Sequence, residues 1–338
     1  MKRIAIVLAV GAVGCGLPPK EQALVDVKNA IQADLTSLAT EAKSLCDAAP
    51  APKATGWQAT DDKTAIDAMK AAWKRQRLPY ERVEGAIAVL FPELDASFDE
   101  RYDGFLESQG DTNLFDDQVV TGNHAIERIL FSDSTPAAVK TFEQGLGAKY
   151  VAARWPQNQQ EATEFKEKLC ARFVKDAEKM RDDFKPLALD TASAFRGVIG
   201  SLAEQVEKAD LAATGEEESR YSQFTLADMR ANLAGGKKTY ELFSAWVLTT
   251  KDGKALDGRV RAGFSRLEGA YAAVSGDALP EVPATWSSQN PSAADLMTPF
   301  GKLYAVVKAE ADDTSTTSLV TDMNLAADAL GIPQLPNQ

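Results

Sequence analysis

Residues 20–46 read KEQALVDVKNAIQADLTSLATEAKSLC. Apolar residues recur here at spacings of three and four, namely Leu24, Val27, Ile31, Leu35, Leu38, Ala42 and Leu45. Residues at these spacings share one face of an α-helix. The stretch therefore predicts a long amphipathic helix that buries one side in a protein core.

The helical period continues along the rest of the chain. Pro50 and Pro52 interrupt it, and it resumes over 66–91. Pro79 lies inside this second stretch and predicts either a kink or a fresh helix start. Further helices are expected over about 95–107, 116–131, 136–153, 159–185, 187–209, 225–249, 255–274, 292–311 and 317–330. Loops are expected at 50–60, 108–116, 212–219 and 279–291.

These patterns predict an all-α fold. β-Branched residues do not alternate at period two, so strands are not indicated. Short connections between long helices favour antiparallel neighbours. Because the chain is longer than one four-helix bundle needs, we expect two packed antiparallel bundles of the four-helix type. The N-terminal bundle is placed at 16–185 and the C-terminal bundle at 186–338, after a signal segment at 1–15.

Charge and histidine content exclude several functional classes. The chain has 37 basic and 49 acidic residues among 338, a net charge of −12, which argues against binding nucleic acid. His124 is the only histidine. A three-histidine zinc site, a two-histidine HExxH helix and a bis-histidine haem are therefore excluded. Any metal must be held mainly by carboxylates.

The N-terminus has the pattern of a lipoprotein signal. Lys2 and Arg3 precede an apolar run that is too short for a membrane span, which needs about 20 residues. Residues 12–15 read AVGC and resemble a bacterial lipobox, in which the cysteine, here Cys15, is acylated. This predicts a lipid-anchored protein of the bacterial cell envelope that faces the periplasm. Cleavage of an ordinary signal peptide nearby is the alternative.

The other two cysteines are Cys46 and Cys170. Export to an oxidising compartment permits a disulfide between them. Alternatively, both are small buried apolar residues on helices, as free cysteines often are. The sequence leaves these two alternatives open, because it does not supply the geometry that a disulfide requires.

The histidine lies in the stretch GNHAIERILF, residues 122–131. His124 and Glu127 are three residues apart, so on a helix they project to the same side. An imidazole and a carboxylate placed in this way can share one metal ion, and the spacing mirrors the Glu-x-x-His of di-iron bundles. A plain hydrogen bond on a helix surface is the alternative.

Two acidic groups could add carboxylates to this pair. Glu84 lies beside the apolar stripe of the second predicted helix. Asp95, Asp99 and Asp103 form a row at spacing four on the helix expected at 95–107. Like charges at this spacing repel, so the row needs solvent, a basic partner or a cation. A solvated helix face is the alternative to a metal site.

Several blocks resemble the imelysin family, which includes the periplasmic component of Efe-type iron-uptake systems. In the first half the blocks are YERVE at 80–84, LDASFDER at 94–101 and GNHAIE at 122–127. The last block matches the family hallmark Gly-x-His-x-x-Glu. In the second half, RYSQFTLADMRANLAGG at 220–236 resembles another family motif.

The resemblance implies two helical bundles with a site between or beside them that binds iron or an iron-containing ligand. Carried over by position, the implied metal ligands are His124, Glu127, Glu84 and Asp99. The implied pocket residues are Tyr80, Gly122, Asn123, Ser222, Asp228 and Asn232. Relatives commonly have an aromatic residue at the position of Asn123, so we expect this polar residue to affect access or ligand choice.

Parts of the second-half motif also have structural interpretations. Thr225 and Asp228 fit a helix N-cap followed by an acidic residue at the third helical position. This cap is an alternative to a pocket role for Asp228. The pair Gly235 and Gly236 indicates either a helix break or close packing.

The family carries a peptidase label that the residues do not favour. A zinc hydrolase needs three protein ligands, an open water position and a general base. The inverted motif His-x-x-Glu-His would require histidine at position 128, which is Arg128. A Gly-x-Ser-x-Gly nucleophile elbow is also absent from the sequence. We expect a protein without enzymatic activity.

The leading hypothesis is an envelope lipoprotein that binds iron for uptake together with an envelope transport partner. A hard site of one imidazole and several carboxylates suits iron or manganese better than catalytic zinc. Haem with His124 as a single axial ligand is a less favoured alternative. A hypothesis of another class is a metal-free helical scaffold that binds a protein or peptide at the envelope.

Overall fold

The computed structural model describes residues 16–107 and 109–335. Within those residues the chain forms helices and no β-strand, which confirms the predicted all-α fold. The expected signal segment 1–15 and the expected lipidation site Cys15 lie outside the described residues. None of the helices in the described part of the chain is long and apolar enough to cross a membrane.

The α-helices are numbered in chain order. They are α1 (Pro19–Asp47), α2 (Lys63–Leu90), α3 (Pro92–Asp99), α4 (Tyr102–Phe105), α5 (Gly122–Leu130), α6 (Ala137–Gly145), α7 (Gln159–Glu164), α8 (Cys170–Phe184), α9 (Thr191–Leu211), α10 (Thr225–Val247), α11 (Gly253–Ala272), α12 (Pro299–Ala311) and α13 (Leu319–Ala329). A π-helical segment, Phe165–Leu169, joins α7 to α8, and short 3₁₀ helices cover Gly147–Lys149 and Asp295–Met297.

Helices α1 and α2 form the centre of the N-terminal part. Most periodic apolar residues of α1, such as Leu35 and Leu45, are buried, and Leu24 is partly buried. Helix α1 packs against α2, α8 and α10. Burial of one such leucine contributes roughly 1.5–3 kcal/mol. Helix α2 also packs against α3, α5, α9 and α10, so it connects the first half of the chain to the second.

Helix α2 continues without a break through Pro79, so the alternative of a fresh helix start at this residue is wrong. An interior proline removes one backbone hydrogen bond and typically costs about 3 kcal/mol. The continuity matters for the site, because Arg77, Tyr80, Glu81 and Glu84 keep helical spacing and share one face of α2.

The helix predicted over 95–107 is interrupted. Glu100 and Arg101 have extended backbones, so the chain forms α3, a short connection and α4. Asp99 ends α3 and Asp103 lies in α4. The predicted row of three aspartates on one helix is therefore wrong, and these side chains point to different partners.

Two other predicted helices are shorter than expected. The helix predicted over 116–131 begins only at Gly122, which has a left-handed φ of 77°. The helix predicted over 136–153 ends at Gly145, shortly before Gly147 with a φ of 70°. A left-handed residue interrupts regular helix geometry, and glycine adopts this conformation most readily.

Helix α2 is in backbone contact with α9 and α10. A Cβ atom on Gly85 of α2 would lie 2.6 Å from the carbonyl oxygen of Gly197 in α9. A Cβ atom on Gly235 of α10 would overlap the carbonyl oxygen of Arg82 in α2. The pair Gly235 and Gly236 therefore reflects close packing and not a helix break, since α10 continues beyond it.

The later helices pack mainly on one another. Helix α9 packs against α10, α12 and α13, and α11 packs against α10, α12 and α13. Pro186 lies in the connection between α8 and α9. Because α9 and α10 also pack on α2, the two parts of the chain share an interface. The division into bundles at 16–185 and 186–338 stays a prediction.

Cys46 in the last turn of α1 and Cys170 at the start of α8 form a disulfide in the structure. Their Cα atoms are 5.6 Å apart, and 124 positions separate them in sequence. The bond ties together two helices that pack against each other.

Candidate metal centre

Helix α5 carries the histidine motif and is buried along its whole length. Gly122 begins the helix in the left-handed region, and a Cβ atom there would overlap the carbonyl oxygen of Phe98 in α3. Only glycine suits this combination of φ angle and close approach. As a result α5 packs directly against the end of α3, which brings His124 beside Asp99.

Glu127 orients the imidazole of His124. His124 Nδ1 lies 2.9 Å from Glu127 Oε2. Glu127 Oε1 accepts hydrogen bonds from the backbone N–H groups of Tyr221 at 3.1 Å and Ser222 at 2.8 Å. Because this carboxylate acts as an acceptor, Nδ1 carries the ring proton and Nε2 keeps its lone pair. Glu127 is not among the residues whose ligand atoms converge near Nε2.

His124 Nε2 is buried and has no hydrogen-bond partner among the described residues. It lies 3.5 Å from Asp99 Oδ1, which is too long for a good hydrogen bond. Burial lowers the pKa of His124, although the hydrogen bond to Glu127 partly opposes this effect. The ring is therefore neutral near pH 7, and its Nε2 lone pair is free to bind a metal ion.

Two carboxylates converge with this nitrogen, and two more lie beside those carboxylates. Asp99, His124 and Glu218 offer ligand atoms that lie within 4.8 Å of one another. Glu81, Glu84, Asp99 and Glu218 form a second group by the same measure. Opposite ligands of an ion with bonds of about 2.1 Å lie about 4.2 Å apart, so small rotations would close either group around an ion. We call these five residues the acidic cluster.

Arg77 contacts the acidic cluster from within the protein. This α2 side chain is completely buried. Its guanidinium pairs with Glu81 and Asp99, and it lies 2.5 Å from Glu218 Oε1. Its Nε lies 3.4 Å from Asp228 Oδ1, just outside the acidic cluster. Arg77 is thus shared among four carboxylates from four separate segments of the chain.

Lys208 of α9 is the second basic residue at the acidic cluster. Its Nζ lies 2.7 Å from Glu218 Oε2, 3.1 Å from Glu84 Oε2 and 3.2 Å from Glu81 Oε2. If the four clustered carboxylates and Asp228 are all ionised, the five negative charges exceed the two positive charges by 5 − 2 = 3. In that fully ionised state the site would carry more negative charge than its own basic residues neutralise.

Burial is the main cause of the raised pKa values among these carboxyl groups. Burial raises the pKa of Glu84 to about 8 and the pKa of Asp228 to about 6. Burial likewise raises the pKa of Glu81 and of Asp99 above their ordinary values. At Glu218 burial acts in the same direction, but the two basic side chains hold its pKa well below the usual range. A bound cation would favour the ionised form of all these groups.

Two asparagines orient carboxylates of the acidic cluster. Asn123 Nδ2 donates to Asp99 Oδ1 at 2.9 Å. Asn232 Nδ2 donates to Glu84 Oε2 at 2.5 Å, and its Oδ1 accepts from Gln205 at 3.1 Å. Asn123, which departs from the family pattern, therefore lies within the hydrogen-bond network of the site.

Asp228 belongs to the same network. Its oxygens accept from the buried guanidinium and from the Ser219 hydroxyl. Helix α10 begins at Thr225, whose hydroxyl accepts the Ser219 N–H at 3.1 Å, so the predicted N-cap role of Thr225 is wrong. Ser222 lies against Glu127 and contributes its backbone N–H.

The remaining predicted residues lie at the edge of the site. The Tyr80 hydroxyl donates to Asp95. Asp103 accepts from Arg220 at 2.7 Å and is outside the acidic cluster. Of the three aspartates singled out in the sequence, the structure brings only Asp99 together with His124.

A cleft of about 310 Å³ opens to solvent beside the acidic cluster. Seven of its lining residues are acidic and two, Arg101 and Lys208, are basic. Glu84, Asp99 and Glu218 line this cleft and belong to the acidic cluster. An acidic cleft attracts cations and disfavours anionic ligands.

The sequence patterns did not indicate four residues of this site. Arg77 and Glu81 share a helical face with Glu84, so a face-by-face analysis of α2 would have indicated them. Glu218 ends an acidic run in the predicted loop 212–219, and nothing local shows that it reaches α3 and α5. Lys208 carries no pattern that distinguishes it from an exposed lysine.

Comparison with known proteins gives the following matches. The family model described as Imelysin matches residues 27–322. The iron uptake system component EfeO of Escherichia coli (strain K12) is 25% identical over 246 residues, which cover 73% of this chain and 52% of that protein. EfeO of Shigella flexneri gives the same values, and EfeO of Escherichia coli O1:K1 is 26% identical over 246 residues. The chain spans about half the length of these curated relatives.

Proposed function

The chain belongs to the imelysin family, and on that premise we propose that it binds iron at the acidic cluster as a component of an envelope iron-uptake system. Iron is the cargo in this proposal and not a resident cofactor. The relatives named as iron uptake components support this role. Because the chain covers about half of their length, the transport partner that would receive the iron is also part of the proposal.

The observation that carries the proposal is the buried, unbonded Nε2 of His124. A buried polar atom without a partner costs roughly 1–3 kcal/mol, so it requires an explanation. Here the nitrogen lies beside the carboxyl groups of Asp99 and Glu218, whose oxygens can bind a cation. An ion bound between Nε2, Asp99 and Glu218 would satisfy the nitrogen and reduce the repulsion among the carboxylates.

The donor set fits iron. One imidazole nitrogen and several carboxylate oxygens are hard or borderline ligands, which suit iron and manganese. In this arrangement Glu127 is the outer partner that fixes the tautomer of His124, and Glu218 takes the ligand position first assigned to Glu127. The ligands we propose are therefore His124, Asp99 and Glu218, with Glu81 and Glu84 in the adjoining group.

Haem fits this environment less well. A haem ligated by His124 would place its apolar macrocycle against buried carboxylates, which lose solvation without gaining a cation partner. Haem titration tests this point. A Soret band that develops with the wild type and is absent with His124→Ala would favour haem over the iron ion as the ligand.

The proposed location is the bacterial cell envelope. We propose that Cys15 is acylated and holds the domain at the membrane with its body facing the periplasm. In cell fractionation, the wild-type chain should accompany membranes and Cys15→Ser should move to the soluble periplasmic fraction. If the two chains distribute equally between the membrane and soluble fractions, the lipid anchor is contradicted. This result would not bear on the proposed iron site.

Iron binding can be tested by anaerobic calorimetric titration of the mature domain with ferrous iron. We expect His124→Ala and Glu218→Gln each to weaken binding at least tenfold. Glu207→Gln is the matched control, because Glu207 lines the same cleft but lies outside the acidic cluster. Affinities equal to the wild type in both cluster variants would contradict the assignment of the site.

One observation favours the metal-free scaffold as a second candidate function. Arg77 and Lys208 already pair with carboxylates of the acidic cluster, so a site without metal is partly neutralised. Under this alternative, protein purified without chelator contains no iron and ferrous iron does not raise its melting temperature. Iron binding is favoured if the purified protein contains iron. It is also favoured if ferrous iron raises the melting temperature of the wild type and His124→Ala abolishes this rise.

A further inference from the structure

The ammonium group of Lys208 lies among the oxygens that would bind the metal ion. Its three carboxylate partners, Glu81, Glu84 and Glu218, all belong to the acidic cluster, and the three distances are 2.7–3.2 Å. The carboxylates therefore surround the ammonium in the way they would surround an ion. Lys208 also lines the cleft that opens to solvent, as do Glu84 and Glu218.

We propose that Lys208 is a tethered cation that occupies the acidic cluster when no iron is bound and withdraws when iron enters. The inference rests on the proposed iron-binding function. Each binding event is then an exchange of one cation for another. When iron is released, the ammonium returns to the same oxygens. The clustered carboxylates are then never left without a cation.

The two basic residues differ in their suitability for this exchange. The Arg77 guanidinium is completely buried and contacts four carboxylates through several nitrogens, which fixes it in place. Lys208 is also buried, at 7% exposure, but it presents a single charged atom at the end of a flexible chain that lines the cleft. Lys208 can therefore leave by side-chain rotation alone, whereas displacement of Arg77 would break the packed centre of the protein.

The structure also offers a carboxylate that can receive the displaced ammonium. Glu204 precedes Lys208 by four positions in α9 and lines the same cleft. A glutamate four residues before a lysine is the favourable orientation for an ion pair on a helix. Because Glu204 is exposed, withdrawal toward it would keep the ammonium paired near solvent and clear the oxygens of the acidic cluster.

The exchange discriminates among ions by charge. With all groups ionised, the excess of three negative charges becomes four when the ammonium withdraws. A monovalent ion would return the excess to three negative charges, whereas a divalent or trivalent ion would reduce it to two or one. Lys208 thus raises the barrier against sodium and potassium more than against ferrous or ferric iron.

The test compares ferrous-iron affinity by anaerobic calorimetry in the wild type, Lys208→Met and Lys208→Arg. Lys208→Met removes the charge and keeps most of the side-chain length, so we expect at least tenfold tighter binding. Lys208→Arg keeps the charge and should not bind more tightly than the wild type. Lys237→Met is the control, because Lys237 pairs with Glu268 at the protein surface and does not line the cleft. The affinity of this variant for ferrous iron should equal that of the wild type.

A second readout separates exchange from a purely structural role. Without iron, Lys208→Met should melt below the wild type, and saturating iron should raise its melting temperature by more than it raises that of the wild type. If Lys208→Met does not fold, Glu204→Gln replaces it, and iron binding should weaken at least threefold relative to Glu207→Gln. A structural role alone predicts weaker binding in Lys208→Met and no effect of Glu204→Gln.

The outcomes distinguish this inference from the proposed function. If the wild type binds iron and Lys208→Met binds it equally or more weakly, the exchange is overturned while iron binding stands. If only Lys208→Met binds iron, the ammonium blocks the site and does not exchange with iron, so the exchange and iron binding by the wild-type chain are both overturned. If neither chain binds iron, both the proposed function and the exchange are overturned.

Discussion

Glu127 Oε2 lies 2.9 Å from His124 Nδ1, and this contact leaves Nε2 as the nitrogen beside Asp99. In our proposed assignment the pair therefore does not offer two ligands to one ion, although its spacing in the sequence first indicates this. His124 would supply the donor atom, and Glu127 would determine which ring nitrogen carries the proton.

Replacement of Glu127 by glutamine should weaken iron binding although Glu127 is not a ligand in our assignment. The amide is a poorer acceptor for Nδ1–H and would no longer hold the imidazole in one tautomer. Loss of such an outer partner typically reduces metal affinity about 10–100-fold. Ferrous-iron titration of Glu127→Gln measures the effect, with the exposed Glu268→Gln as the control. Unchanged affinity with retained folding would show that the tautomer of His124 does not matter.

The iron-free protein should become more stable as the pH falls from about 8 to 6.5. Burial raises the pKa of Glu84 to about 8 and that of Glu217 to about 7, so the folded state binds protons that the unfolded state does not bind in this range. Their contribution to stability is present at low pH and lost as the pH rises through these values. Glu218 does not titrate here, because its pKa is lowered.

Melting temperatures measured across this pH range would check that prediction. Glu84→Gln should show a flatter profile than the wild type, because the amide is neutral throughout. Below about pH 6.5 the lowered pKa of His124 acts in the opposite direction, since the unfolded chain then binds a proton that the folded ring resists. A wild-type melting temperature that rises from pH 6.5 to 8 would contradict the assigned direction.

Iron binding near pH 7 should release protons. Glu84, with a pKa near 8, is largely protonated in the iron-free protein at this pH and must ionise to bind a cation well. Calorimetry in buffers of different ionisation enthalpy measures the number of protons released. We expect fewer protons from Glu84→Gln than from the wild type, and affinity should fall as the pH is lowered. Identical heats in all buffers would exclude proton release.

Gly122→Ala should destabilise the protein and displace the histidine. The alanine would need a left-handed φ, and its methyl group would overlap the Phe98 carbonyl oxygen. We therefore expect the free energy of unfolding to fall by at least about 2 kcal/mol. Gly147→Ala is the matched control. Gly147 is also left-handed, but no described atom lies within 4 Å of its added Cβ, so the loss should be about 1 kcal/mol. Urea denaturation of both variants gives the comparison, and equal losses would contradict the steric argument.

Removal of the Cys46–Cys170 bond should lower the free energy of unfolding by about 4–5 kcal/mol. In the chain-entropy model, the effect grows with the closed loop, and 124 positions separate these residues. Urea denaturation of the Cys46→Ala, Cys170→Ala double variant measures it. The reduced wild type should have the same free energy of unfolding as the double variant. If the oxidised wild type is no more stable than these two, the disulfide does not stabilise the protein.

Much of the helical fold could be predicted because amphipathic periodicity is a local signal. The prediction of a helix over 20–46 agrees closely with α1, and the prediction over 159–185 agrees with the helical run from α7 to α8. The errors lie where tertiary contacts decide the backbone. The end of α3 and the start of α5 are fixed by the close approach of Phe98 and Gly122, and no helical period records this contact.

The acidic cluster could be predicted only in part for a related reason. A motif on one helix, such as His124 with Glu127, is visible as a spacing. Glu218 and Lys208 reach the same point from a loop and from α9, and they are far from the motif in sequence. The choice between Glu127 and Glu218 as a ligand depends on which ring nitrogen each one faces, and only coordinates give this information.

The close contacts of Gly85 with Gly197 and of Arg82 with Gly235 fix the spacing of α2, α9 and α10 through main-chain atoms alone. A protein engineer could therefore exchange the side chains that point into the cleft without altering the separation of the supporting helices. Substitution of softer donors, such as cysteine or additional histidine, at positions 84 and 208 would then change the preferred metal. The three glycines would have to be retained in every redesigned chain.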